Sequence, residues 1–359
     1  MTARFEIKPV DRRFYDEQLR AFLPEKIIDI HTHLWLARHQ ESHRRQMLRV
    51  QTWPARVAAE SPIEELLETY RLMFPGKDVT PLIFGSALSL DDDLEDGNKY
   101  VSDCAAAHQL PALIWSAPNW SAEELERKIQ EGGFLGAKTY LSFAPPYLAE
   151  GEIRIFDFFP HHQLDVLNKN GWVMMLHIPR NDRLRDPVNL AQLLEIEERY
   201  PRIPVIVAHV GRAYCPEDVG DAFEVLARTR KMRFDISANT NEVVFRRLIE
   251  AVGPKRILFG SDLPIARMRM RRVCEAGNYV NIVPEGLYGD IGGDKHMRAV
   301  SGAEAGKLTF FMFEIIEAFR RAAAATGLTR GDIEDVFYNN AAAMLAQARS
   351  GVPGGPAGN

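Results

Sequence analysis

The stretch KIIDIHTHLW at residues 26–35 carries the first side chains able to do chemistry together. An apolar run leads into His31, and His33 follows two positions on. Alternate side chains of a β-strand share a face, so Asp29, His31 and His33 point the same way. Two neighbouring imidazoles fit a metal clamp, and they equally fit two histidines that happen to end a strand. Further ligands at matching places separate these readings. His177 ends WVMMLH, His209 ends PVIVAH, Asp262 directly follows RILFGS, and Lys138 lies late in FLGAKTYL. Singly, each has an ordinary explanation: a core histidine, an aspartate capping the next helix, a lysine reaching outward. Jointly they put imidazoles and a carboxylate at the same end of several strands, which coincidence explains poorly. Borderline divalent ions such as Zn2+ take nitrogen and carboxylate ligands, and catalytic sites leave one position open for water.

These groups need a scaffold that gathers strand ends on one rim. Apolar runs recur at KIIDIH, PLIFGSAL, ALIWSA, FLGAKTYL, WVMMLH, PVIVAH, MRFDIS and RILFGS, with helical periodicity between them. Runs that are apolar throughout and alternate with helices predict a parallel sheet covered on both faces. Eight such runs make an α/β (β/α)8 TIM barrel the economical architecture. A doubly wound open sheet fits the alternation but not the chemistry at the strand ends. The segment DRRFYDEQLRAFL predicts an N-terminal arm that docks as a helix, and KLTFFMFEIIEAFRRAAAAT and RGDIEDVFYNNAAAMLAQA predict extra C-terminal helices. Residues 1–350 are expected to form one unit, with a flexible Gly/Pro-rich tail at 351–359.

Two segments, 34–61 and 263–305, exceed a minimal barrel and follow the first and last strands, which makes them lid candidates over the C-terminal mouth. Both are basic. The first carries Arg38, Arg44, Arg45 and Arg49, the second Arg267, Arg269, Arg271 and Arg272. Such runs are either solvated helical faces or a lure for an anionic, carboxylated substrate. Arg180 follows His177 in IPRND, and Arg212 follows His209 in GRAY, so both fall within reach of the mouth. Each either clamps a substrate carboxylate or salt-bridges a neighbouring loop. With Arg267 they form the expected substrate-binding set.

The formal charge of −5 over 359 residues excludes a general nucleic-acid binder. Three cysteines, Cys104, Cys215 and Cys274, are widely spaced without a CxxC, which predicts no disulfide and a reducing, cytoplasmic setting. The charged N-terminus lacks the apolar core of a signal peptide, and no run is long enough to span a membrane. A GxSxG nucleophile elbow is absent, and EGLYGDIGGDKH reads as a turn or lid, not a dinucleotide loop. A homodimer is compatible with all of this.

DIHTHLW, MLH, VIVAHVG and LFGSDLP resemble the strand-1, -5, -6 and -8 signatures of the amidohydrolase superfamily. The likeness is to its amidohydrolase-related group, which includes aminocarboxymuconate-semialdehyde and γ-resorcylate decarboxylases. It covers the chain from about residue 26 to about residue 347. It implies one or two divalent metal ions, Zn2+ first among them, held by His31, His33, His177 and Asp262. His209 would ligate a second ion or act as a catalytic group. Lys138 would line the site, either as a carbamate bridging two ions or uncarboxylated beside one. A divalent ion lowers its water's pKa to roughly 7, and Asp262 would take that water's proton and return it to a leaving group. Asp29 and main-chain carbonyls are expected to hold the second imidazole nitrogens. The implied activity is a metal-dependent hydrolase opening an amide, lactone or ester of a small carboxylated substrate. The alternative is a lyase that decarboxylates or hydrates an aromatic or unsaturated acid.

Overall fold

The computed structural model describes residues 5–39, 57–87, 89–90 and 92–350. Arg44, Arg45 and Arg49 of the first insertion, and the tail at 351–359, lie outside the described residues. Each expected apolar run contains a parallel strand. These are β1 (Lys26–His33), β2 (Asp78–Phe84), β3 (Ile114–Trp115), β4 (Gly136–Lys138), β5 (Val173–Leu176), β6 (Val205–Val207), β7 (Arg233–Asp235) and β8 (Ile257–Leu258). β3 to β8 form a six-stranded sheet in sequence order, and β1 pairs with β2. Backbone contacts link the two pieces. Ile83 bridges Ala112 on one side and Thr32 bridges Leu263 on the other, while Ile30 N–H donates to the Phe259 carbonyl at 3.0 Å. The apolar-throughout pattern has its expected cause: Val173, Met174, Met175 and Leu176 are all fully buried.

Helices separate successive strands and turn one apolar face onto the sheet. Helix Glu242–Val252 is representative. Asn241 caps it by accepting from Val244 N–H at 3.1 Å, and Gly253 ends it at φ +72°. Its buried face of Val244, Phe245, Leu248 and Ile249 follows helical spacing, and Phe245 meets Phe319 of helix Phe311–Ala325 edge-on. Each such side chain contributes about 1.5–3 kcal/mol on burial, so Leu248→Asp would break the contact. Between β6 and β7 the helical stretch is short, with an α-helix at Ala222–Leu226.

The 263–305 insertion folds as a second, smaller sheet of order β11–β10–β9, built from β9 (Arg271–Glu275), β10 (Asn278–Pro284) and β11 (Met297–Val300). Its arginines do not form a solvated basic face. Arg267 pairs with Glu65, Arg269 with Asp11 at 2.6 Å, and Arg271 approaches Glu314 at 3.6 Å. Asp11 belongs to the N-terminal arm and also accepts from Thr309, so the arm docks through a buried charge pair.

The cysteine expectation fails. Cys215 and Cys274 form a disulfide with Cα atoms 5.7 Å apart, leaving only the buried Cys104 free. The cause is tertiary: β9 folds back onto the loop after β6, bringing together cysteines 59 residues apart. A disulfide also removes the inference of a reducing compartment. Among the described residues, no helix is long and apolar enough to cross a membrane.

Candidate metal centre

β1 delivers His31 and His33 to the same end of the sheet as Asp235 at the end of β7 and Asp262 after β8. His31 is fully buried, and its Nδ1 lies 2.9 Å from Asp235 Oδ2. His33 Nδ1 lies 3.0 Å from the Gly85 carbonyl. Both partners only accept, so each Nδ1 carries the proton and each Nε2 keeps a lone pair. Those two Nε2 atoms sit 3.5 and 3.4 Å from Asp262 Oδ1. His31 Nε2 is buried without a hydrogen bond. Two imidazole lone pairs converging on a carboxylate repel one another unless a cation lies among them. The donor set therefore fits a divalent metal. The ligand atoms of His31, His33 and Asp262 all lie within 4.8 Å of one another, as do those of His31, His209 and Asp235.

The other histidines border this triad. The His209 ring is 4.8 Å from that of His31 and 5.4 Å from that of His177. His209 Nδ1 meets Ser237 Oγ at 2.8 Å, and Ser237 in turn donates to Asp235. His177 is buried with Nδ1 unpartnered, its ring 4.8 Å from that of Tyr140. Lys138, buried at the end of β4, holds Nζ over the rings of Phe84 and Trp115 at 5.4 and 5.9 Å. Burial pushes His33 and His209 down to about 4 and His177 well below the usual imidazole range, so all three are neutral at pH 7. Burial likewise brings Lys138 down to about 8, against the pull of Asp262 and Asp235. Asp262 is held below the usual carboxylate range: burial opposes ionisation, but positive charge gathered at His33, His209 and His31, as imidazolium, outweighs it.

The backbone is strained where these side chains leave it. His209, Val210, Gly211 and Arg212 all take positive φ, between 50° and 61°, and Ala238 and Asp262 do so at 47° and 66°. Each non-glycine residue there costs on the order of 1–3 kcal/mol. Hydrogen bonds over-determine the geometry: His209 N–H donates to Asp235 Oδ1 and Asp262 N–H to the His31 carbonyl, both at 2.9 Å. At Gly211, with φ +61°, a Cβ would run into the Leu184 side chain, so glycine relieves both strain and crowding in this turn. Gly260 lets β8 close on the site, because a Cβ there would lie 2.9 Å from that of His31.

The structure thus brings His31, His33 and Asp262 together, with His209, His177 and Lys138 alongside. Arg180 is tied to Asp186 at 2.9 Å. Arg212 Nη1 donates to the carbonyls of Ile178, Pro179 and Arg180, and its charge bears on His177. Arg267 differs from expectation, since its buried guanidinium is taken by Glu65. Asp29 differs too. It accepts from Tyr70 at 2.7 Å and from the Ser261 and His31 amides, bracing β1 against β8 instead of holding an imidazole. Asp235, Ser237 and Tyr140 escape the sequence reading. MRFDIS does hold a signal, an aspartate ending a strand as His177 and His209 follow theirs, but the same position suits a helix cap.

The profile of the family described as Amidohydrolase matches residues 28–346. No curated protein matches the sequence. Among solved structures, a zinc-bound amidohydrolase from Burkholderia multivorans superposes with a TM-score of 0.58 at 14% identity, covering 89% of this chain and 99% of that one. The 5-carboxyvanillate decarboxylase of Sphingomonas paucimobilis gives 0.52 at 13% identity, over 90% of this chain and 99% of that one. A putative 2-pyrone-4,6-dicarboxylic acid hydrolase from Pseudomonas putida gives 0.52 at 14% identity, over the same shares. Identities this low speak for the fold alone. The match to the family profile, spanning most of the sequence, goes further: the chain belongs to the amidohydrolase family.

Proposed function

We propose that this chain is a metal-dependent hydrolase on a closed (β/α)8 barrel, cleaving a C–N or C–O bond of a small carboxylated substrate. The observation that carries the reading is the buried, unpartnered Nε2 of His31, facing Asp262 beside Nε2 of His33. His31, His33 and Asp262 would hold the ion, with His177 and His209 as neutral imidazoles bordering it. The chemistry supplied by a divalent ion there is Lewis acidity and the acidification of water. Asp262, ionised at neutral pH, accepts the proton of the attacking water and returns it to the departing nitrogen or oxygen. Asp235 fixes the His31 ring and, through Ser237, that of His209. Lys138 remains mostly a cation at pH 7 and stabilises negative charge growing on the substrate oxygen.

One observation favours a second reading, non-oxidative decarboxylation. A protonated Lys138, free of hydrogen bonds among the described residues and beside the site, suits delivery of a proton to carbon as CO2 departs. The relatives of known structure include both a decarboxylase and a putative dicarboxylic acid hydrolase. Isotope labelling separates the two. Turnover of carboxylated lactones and phenols in H2(18)O places the label in the product of a hydrolase. Turnover in D2O places deuterium on product carbon for a decarboxylase. Chelation must abolish either activity and zinc restore it. Full turnover in chelated, metal-free protein would overturn both.

A further inference from the structure

Most arginines near the mouth are neutralised by a carboxylate. Arg180 meets Asp186 at 2.9 Å, Arg183 meets Asp218 at 2.6 Å, Arg269 meets Asp11 at 2.6 Å, and Arg267 pairs with Glu65. Arg212 and Arg272 are different: among the described residues neither has a carboxylate partner. Arg212 donates through Nη1 to main-chain carbonyls alone. Arg272 donates to the Ala238 carbonyl and, through Nε, to Asn281 Oδ1 at 2.8 Å. The residue is 7% exposed, and its guanidinium lies 4.6–4.7 Å from the rings of Tyr214, Tyr279 and Phe311. Nη2 of both arginines is without a hydrogen bond among the described residues. A buried cation lacking a counter-ion is costly, and stacking offsets only part of that cost.

The two guanidiniums belong to one place. Arg272 covers the ring of Tyr214, and the charges of Arg272 and Arg212 both bear on its hydroxyl. The charge of Arg212 also bears on His177 and Tyr140, and that of Arg272 on Asp262, so both lie within electrostatic reach of the metal centre. They are tied covalently as well. Arg212 stands three residues before Cys215 and Arg272 two before Cys274, the partners of the disulfide. The end of β7 holds both strands of this brace, with Asn239 donating to the Ala213 carbonyl at 2.7 Å and Thr240 to the Arg272 carbonyl at 3.3 Å.

We propose that Arg212 and Arg272 form an anion subsite, braced by the Cys215–Cys274 disulfide, that takes a carboxylate of the substrate remote from the bond being broken. The substrate is then a small dicarboxylate, and reduction of the disulfide weakens its binding. This rests on the reading of an acidic substrate given above, and it concerns which residues bind the acid and what holds them.

Isophthalate is a suitable probe, with its uncharged dimethyl ester as control, titrated calorimetrically into the full chain with zinc and after chelation. Arg272→Met and Arg212→Met should each weaken isophthalate binding about 10- to 100-fold. Cys215→Ser/Cys274→Ser, or dithiothreitol, should do the same, and binding of the ester should not change. Arg272→Lys keeps the charge without the planar fork, so it should fold normally and still lose most of the effect. Near-ultraviolet circular dichroism checks the fold. Failure of isophthalate to bind the oxidised protein, or equal affinity in folded Arg272→Met, Arg272→Lys and wild-type chains, overturns the subsite. Unchanged affinity after reduction overturns the brace. Arginine-dependent binding in a protein that takes up no metal would spare the subsite and sink the metalloenzyme reading instead.

Discussion

On the β6–β7–β8–β1 side of the mouth the polar atoms are held, whereas on the β4–β5 side they are loose. His31 Nδ1 has Asp235, His33 Nδ1 has Gly85, His209 Nδ1 has Ser237, and Asp262 is fixed through its amide. Across the site His177 Nδ1 is unpartnered, and neither Lys138 Nζ nor the Tyr140 hydroxyl makes a hydrogen bond among the described residues. The first side resembles a ligand set whose orientation is settled when the chain folds. The second keeps its hydrogen-bonding capacity unspent, which is where differential contacts to a reacting substrate are cheapest to make. Under the proposed function the contrast divides labour: one side would hold the ion and the other would meet the molecule.

The strongest way to break the comparison is to remove a group from the held side. Asp262→Asn should lower turnover by about 10^2- to 10^4-fold and reduce bound metal, with an unchanged circular dichroism spectrum. A variant with near-normal rate and full metal would end the role of Asp262 as proton carrier. From the loose side, Lys138→Met should cost about 10^2- to 10^3-fold in turnover while metal content stays at the wild-type value. Loss of one equivalent of metal would instead mean that a carboxylated Lys138 bridges two ions, moving it to the held side.

What could be read beforehand follows the same division. Period-2 alternation puts His31 and His33 on one face, and the ends of apolar runs put His177, His209 and Asp262 on one rim, because both are properties of single segments. Asp235 was hidden by its context, since an aspartate after a strand looks like a cap until its partner, His31, is seen 204 residues away. The left-handed turn at 209–212 was hidden because Val210, a β-branched residue, argues against positive φ. Arg267 and Arg269 defeated charge patterning for a related reason: a basic run does not say whether acids such as Glu65 and Asp11 wait elsewhere in the chain. The disulfide joins a loop after β6 to an inserted sheet, a contact with no local signature. Local chemistry was legible, and its partners were not.

A smaller effect sharpens the held side. Asp235→Asn keeps the size of the side chain but takes the negative charge from His31 Nδ1 and disturbs Ser237 and the His209 amide. Metal affinity should fall about 10- to 100-fold, the usual cost of losing such a partner, and excess zinc should restore most turnover. Competition against a chromogenic chelator measures the affinity directly. Wild-type affinity in this variant would mean that packing alone orients His31.

The smallest catalytic effect is expected at Arg267, and it tests where the site ends. Its guanidinium is buried against Glu65, itself only 7% exposed, so its charge is met inside the protein, unlike those of Arg212 and Arg272. Arg267→Met leaves the Glu65 carboxylate buried without its cation, so stability should fall by about 3–5 kcal/mol, read as a lower urea midpoint. The surviving folded enzyme should keep KM for an acidic substrate within about twofold, since a guanidinium already taken by Glu65 gives substrate and transition state nothing to lose. Adding Glu65→Gln should recover part of the stability by removing the stranded charge, an outcome that a substrate-binding arginine would not produce. A tenfold rise in KM with unchanged stability would return Arg267 to the mouth and make the strand-8 insertion a lid after all.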